Sequence, residues 1–224
     1  MLRFILFSMV CLPLAWAQPT PATPTATSSS SSTSGSTFGD HLIDKIMGIA
    51  GPTEPGKLTE RERFHLYAFS MVGPVPVLAE AVGAGLSQWQ NDPKEWGQGW
   101  KAYGKRFDTN LAYNGVRQTI TYGLSAGFHE DNRYFSSQRH GIMARTGYAL
   151  LSTVTAKHPD GKRVFSVSAV AGIAGASAVS DVWEPPSRSG ADGIARNAGI
   201  SFATTAAFNV VREFLPDILH RRKK

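Results

Sequence analysis

From Thr59 onward the chain runs as apolar stretches separated by short polar punctuation, and within those stretches small residues recur at every fourth position. Gly115, Thr119, Gly123 and Gly127 make one such stripe, Ser168, Gly172, Ala176 and Ser180 a second, and Ala195, Gly199, Ala203 and Ala207 a third; Ala79, Gly83 and Ser87 add a shorter fourth. Positions i and i+4 share one face of a helix, so each stripe predicts a helix with a groove into which another backbone can come close. Glycine costs about 1 kcal/mol relative to alanine inside a helix, so its repetition asks for a packing reason.

The punctuation predicts where these helices begin and end. Thr59-Glu60-Arg61-Glu62 has the layout of a capping box, in which threonine hydroxyl and glutamate carboxylate satisfy each other's orphan amides. Asp92-Pro93-Lys94-Glu95 repeats that layout with proline at the first helical position, so helices are expected from Glu60 and from Pro93. Gly73-Pro74, Asn91-Asp92-Pro93, His158-Pro159-Asp160-Gly161 and Glu184-Pro185-Pro186 read as stops or turns. A rival period of two runs through Ile120, Tyr122, Leu124, Ala126 and Phe128, and again from Ile200 to Val210, as in the strands of a membrane β-barrel. The capping boxes, the alanine content and the basic chain end favour the helical alternative: an all-α bundle of about five helices, with a barrel-like fold as the competing class.

Composition adds an address. Arg3, the apolar run Phe4 to Leu12, Pro13, and small residues at Ala15 and Ala17 have the order of a secretory signal, so residues 1–17 are expected to be removed. Residues 18–37 collapse to Pro, Thr, Ala, Ser and Gly, with five serines at Ser28 to Ser32, a composition too poor in apolar surface to fold. The single domain is then 38–224. Cys11 is the only cysteine and lies in the signal, so disulfides and thiolate chemistry are excluded from the exported chain. Without Arg3 the balance is 22 basic against 17 acidic residues. That excess suits an anionic membrane surface, while export argues against nucleic acid.

Trp96-Gly97-Gln98-Gly99, Tyr103-Gly104, Glu130-Asp131-Asn132-Arg133-Tyr134 and Glu213-Phe214-Leu215-Pro216-Asp217-Ile218 resemble a group of small exported bacterial proteins of unknown function. The resemblance implies no activity, cofactor or site.

Candidate chemistry is sparse. Gly123-Leu124-Ser125-Ala126-Gly127 fits the G-x-S-x-G elbow of serine hydrolases, with Asp181 and His220 following in the required order. That chemistry needs a strand, a strained turn and a helix, whereas the four-residue stripe already explains both glycines. His129, Glu130 and Asp131 lack the spaced second pair of ligands that a zinc site needs; a helix end with Asp131 or Glu130 paired to Arg133 is the simpler reading. Trp96, Trp100, Tyr103 and Phe107 are expected in the core. Val164 to Ser180 is uncharged over 17 residues, at the lower limit for crossing a bilayer.

The expected protein is therefore an exported, non-catalytic envelope component without metal or cofactor, periplasmic or membrane-associated. Its expected partners are a membrane surface, an envelope protein or a second copy of itself; an exported hydrolase using Ser125 is the alternative. N-terminal sequencing of the exported chain is expected to start at Gln18, and recovery of intact Met1 would contradict the signal reading.

Overall fold

The computed structural model describes residues 58–221, with side chains as far as residue 218. The expected signal (1–17), spacer (18–37) and start of the domain (38–57) lie outside the described residues. Those that are described form an all-α bundle: α1 (Glu60–Val72), α2 (Pro74–Trp89), α3 (Trp100–Phe128), α4 (Ile142–Leu151), α5 (Val167–Ser180) and α6 (Gly190–Arg221). Two 3-10 turns, Lys94–Trp96 and Pro186–Arg188, and one antiparallel hairpin, β1 (Thr155–Lys157) with β2 (Arg163–Phe165), complete it. The stretches with a two-residue period belong to α3 and α6, which removes the barrel-like alternative.

The helix ends follow local chemistry. Thr59 N donates to Glu62 Oε2 at 2.9 Å and Glu62 N to Thr59 Oγ1 at 3.3 Å, closing the capping box of α1. Gly73 both ends α1 and precedes α2; a Cβ there would stand 2.3 Å from Phe69 O, and Pro74 then opens α2 without needing an N–H partner. The expected helix at Pro93 is only the 3-10 turn Lys94–Trp96, because the Asp92 carboxylate is engaged elsewhere and makes no cap. Gly97 and Gly99, at φ 67° and 95°, redirect the chain so that α3 begins at Trp100 instead.

The central helix is α3. Helices α1 and α2 run back along it: Tyr67 meets Thr119 near one end, and Tyr103 donates to Ala81 O at 3.0 Å near the other. On another side α5 makes the most extensive helix–helix packing of the described residues. That contact is the second small-residue stripe. Ser168, Gly172, Ala176 and Ser180 are all buried, and a Cβ on Gly172 would lie 2.1 Å from Thr121 Oγ1 and 3.1 Å from Arg117 O of α3.

The short stripe Ala79, Gly83 and Ser87 is half-buried, with a Cβ on Gly83 3.2 Å from Asn110 Nδ2 of α3, while the other two point differently. Thr119, Gly123 and Gly127 are exposed, and a Cβ on Gly123 or Gly127 would meet nothing within 4 Å; Gly115 is half-buried beside Met71. Ala195, Gly199, Ala203 and Ala207 are exposed as well. Within the described bundle Gly123, Gly127 and the Ala195–Ala207 stripe are not packing grooves, whereas Gly115 and Thr119 meet Met71 and Tyr67 of α1.

Gly172→Ala is expected to overpack the α3–α5 contact and cost about 1–3 kcal/mol, whereas Gly123→Ala is expected to be neutral or to stabilise by about 0.5–1 kcal/mol. Urea denaturation followed by circular dichroism checks both; equal effects would contradict this assignment of the stripes.

Candidate functional site

The bundle places polar side chains inside and large apolar ones outside. Its two largest fully buried side chains are Arg106 and Glu213, each 1% exposed, accompanied by Ser166, Ser168, Ser177 and Ser180. The buried apolar residues are mostly alanines (Ala84, Ala102, Ala149, Ala156, Ala176), with Tyr134, Phe135 and Ile173. Outside stand Phe69, Leu78, Val82, Met143, Ile200 and Phe208, with many more of their kind. Large exposed apolar surfaces mark contact with lipid or partner, since water exacts a free-energy penalty for each.

Three hydrogen-bonded knots hold the polar interior. At the first, the Glu130 carboxylate lies at the start of α5, accepting from Val167 N at 2.9 Å, Ser168 N at 3.0 Å, Ser166 Oγ at 3.1 Å and Ser168 Oγ. An anion is favoured there because unpaired N–H groups and the helix dipole both point at it. Asn132 adds a second layer, accepting from Ser166 Oγ at 2.6 Å and donating to Ser168 Oγ at 2.7 Å.

The second knot surrounds Glu213 of α6. Its carboxylate accepts from Tyr134 OH at 2.6 Å, Ser137 N at 2.9 Å and Arg145 Nε at 2.8 Å. Burial, and next the bond donated to Glu213, hold the Tyr134 phenol above its ordinary range. Arg145 also pairs with Asp217 at 2.5 Å, so α4 is tied to α6 by one guanidinium. The Glu130–Tyr134 and Glu213–Ile218 segments thus meet through Tyr134 and Glu213.

At the third knot Arg106 of α3 donates to Asp92 O and Pro93 O, each at 3.0 Å, and to Gln88 Oε1. The Asp92 carboxylate receives Arg188 at 3.3 Å and Arg196 at 2.5 Å, which attaches α6 to the α2–α3 connection. Further along α3, Tyr113 bonds Ser177 of α5 at 3.0 Å and accepts from Ser201 Oγ of α6 at 2.7 Å.

The elbow reading of Ser125 does not survive this geometry. Gly123 to Gly127 is continuous α-helix, and Ser125 Oγ donates to Tyr122 O at 3.0 Å and accepts from Arg63 Nη1 at 3.2 Å. Asp181 accepts from Gly190 N at 2.6 Å where α5 gives way to α6. His220 lies in the last turn of α6, and its side chain is outside the described residues. His129 caps α3 in the left-handed region at φ 54°, and Asp131 pairs with Arg133 at 2.7 Å. Among the described residues no group of three His, Cys, Asp or Glu side chains is placed to hold a metal. Trp100, expected in the core, is 88% exposed, because it is the first residue of α3 and points away from the bundle.

The polar knots were missed in the sequence because their members are far apart in the chain. The one local sign was the charged segment Glu130–Tyr134 itself. No family model, curated protein or solved structure matches the chain.

Glu213→Ala removes one acceptor from three donors at once and is expected to cost about 3–5 kcal/mol, as for breaking a buried ion pair. Tyr134→Phe removes a single bond to a charged group and is expected to cost about 1.5–3 kcal/mol. Urea denaturation of both variants in detergent gives the comparison, and a smaller loss for Glu213→Ala would contradict its place at the centre of this knot.

Proposed function

We propose that the protein is an exported, non-catalytic component of the cell envelope that associates with a membrane through its apolar exterior. One observation carries the reading: the largest fully buried side chains, Arg106 and Glu213, are charged and hydrogen-bonded, while large apolar side chains such as Phe69, Leu78, Val82 and Met143 are turned outward. In water that distribution is unfavourable at roughly 25 cal/mol per Å² of apolar surface left exposed, and in lipid the penalty disappears. Lipid also rewards small-residue contacts such as that between Gly172 and Thr121, because tight van der Waals packing replaces the hydrophobic drive between helices. Export is supported by the layout of residues 1–17 and by the resemblance to small exported proteins of bacteria.

Association by apolar contact is indifferent to headgroup charge, whereas association through the net basic charge is screened by salt. The full chain is therefore expected to float with both neutral phosphatidylcholine vesicles and vesicles containing phosphatidylglycerol, to stay bound in 1 M salt, and to be released by detergent. Release by salt alone, or recovery as a monomer that floats with neither vesicle, would overturn the proposal.

A further inference from the structure

The apolar exterior is not uniform along the chain. Glu60–Trp89, the α1–α2 pair with its break at Gly73, is together long and apolar enough to cross a bilayer by length and composition, and is the one such stretch among the described residues. A core helix of a water-soluble protein passes the same test while mostly buried, but here 11% of the most apolar window is buried. Phe69, Val72, Leu78, Val82 and Leu86 are exposed along it. Between His65 and Trp89 the only charged residue is Glu80, which is half-buried where α2 meets α3, with Asn110 of α3 donating to its backbone carbonyl at 3.2 Å. Ionisable side chains in lipid-crossing helices are found on the side that faces the bundle.

Aromatic residues bracket this stretch. Tyr67 stacks on Tyr122 of α3 with ring centroids 4.7 Å apart, and Phe64 packs against both. At the other end Trp89 and Trp100 are exposed and flank the α2–α3 turn, which Gln88 holds by donating to Gly99 O at 3.2 Å. Tyr67 and Trp89 are 22 residues apart, as are Trp100 and Tyr122 on α3. On the continuous helix α3 a rise of 1.5 Å per residue separates the levels of Trp100 and Tyr122 by about 33 Å, close to the roughly 30 Å of a bilayer's hydrocarbon core. Tyrosine and tryptophan concentrate at the two membrane–water boundaries, where an apolar ring and a polar tip are both accommodated.

We propose that α1–α2 is the segment that crosses the bilayer, with Tyr67 and Trp89 at the two headgroup levels and Leu78 at the middle. The proposal builds on the membrane reading above and adds depth and direction to it: the chain's apolar belt is traversed by one helix pair, and lipid is its occupant. Leu78 is 64% exposed and lies 11 residues from each aromatic marker.

Because Cys11 is the only cysteine, a Cys11→Ser background allows one nitroxide label at a time. His65→Cys, Leu78→Cys and Leu86→Cys, all at exposed positions, are labelled in the full chain reconstituted into phosphatidylcholine–phosphatidylglycerol vesicles, and collision with oxygen is compared with collision with a water-soluble nickel chelate. The oxygen-to-nickel ratio is expected to be several-fold higher at Leu78 than at His65 or Leu86. Val82→Cys, another exposed site, serves in place of Leu78→Cys if that variant loses its helical circular dichroism. Similar low ratios at every site in vesicle-bound protein would overturn the crossing and leave membrane association standing, since the helix would then lie flat at the surface. Free access of nickel at every site in protein that does not float with vesicles would overturn both.

Discussion

A carboxylate or guanidinium removed from water is costly unless hydrogen bonds replace its hydration, and the two most deeply buried charges of this bundle, Arg106 and Glu213, are each held by at least three. Glu130 and Glu213 hold together elements distant in sequence, the end of α3 with the start of α5 and α4 with α6, while Arg106 fastens the α2–α3 turn to the start of α3. None of the three is a single-bond contact. Each centre gathers three or more partners, so the penalty for losing it is spread over several donors and acceptors that would be stranded together.

Placing these groups at the centre leaves little room there for bulky apolar residues, and this is reflected in the alanines and serines that surround them. Small side chains allow α3 and α5 to approach closely, and close approach brings Tyr113, Ser177 and Ser201 within bonding distance across three helices. The large apolar residues are displaced outward as a consequence. In water such an arrangement would present α1–α2 as an unfavourable surface, whereas in hydrocarbon the same arrangement satisfies both the polar interior and the apolar exterior.

Local chemistry was readable in advance. Thr59 and Glu62 form the capping box that their spacing announces, Gly73-Pro74 breaks the helix where it should, and His158 to Gly161 turns a hairpin. The Asp131–Arg133 pair was also legible, since the two residues are neighbours in the chain. Asp92 was misleading for a physical reason: a carboxylate ahead of proline suits a helix cap, but Arg188 and Arg196, 96 and 104 residues away, take it first.

The sequence by itself therefore determined the helical class, the punctuation between helices and the one stripe, Ser168 to Ser180, whose small residues are buried. Only the tertiary structure decided which way each helix faces. A hydropathy pattern reveals orientation when one side of a helix meets water and the other meets oil, but in α6 Ile200, Phe208 and Val211 look outward while Asn209 and Glu213 are buried, and in α3 the exposed side chains are of both kinds, Lys101, Lys105 and Asp108 with Trp100 and Phe128. Whether Gly123 or Gly172 lies in a contact, and whether Ser125 is a nucleophile or a partner of Arg63, is set by which neighbour fills the space around it. That neighbour is named by the fold and not by the spacing of the motif.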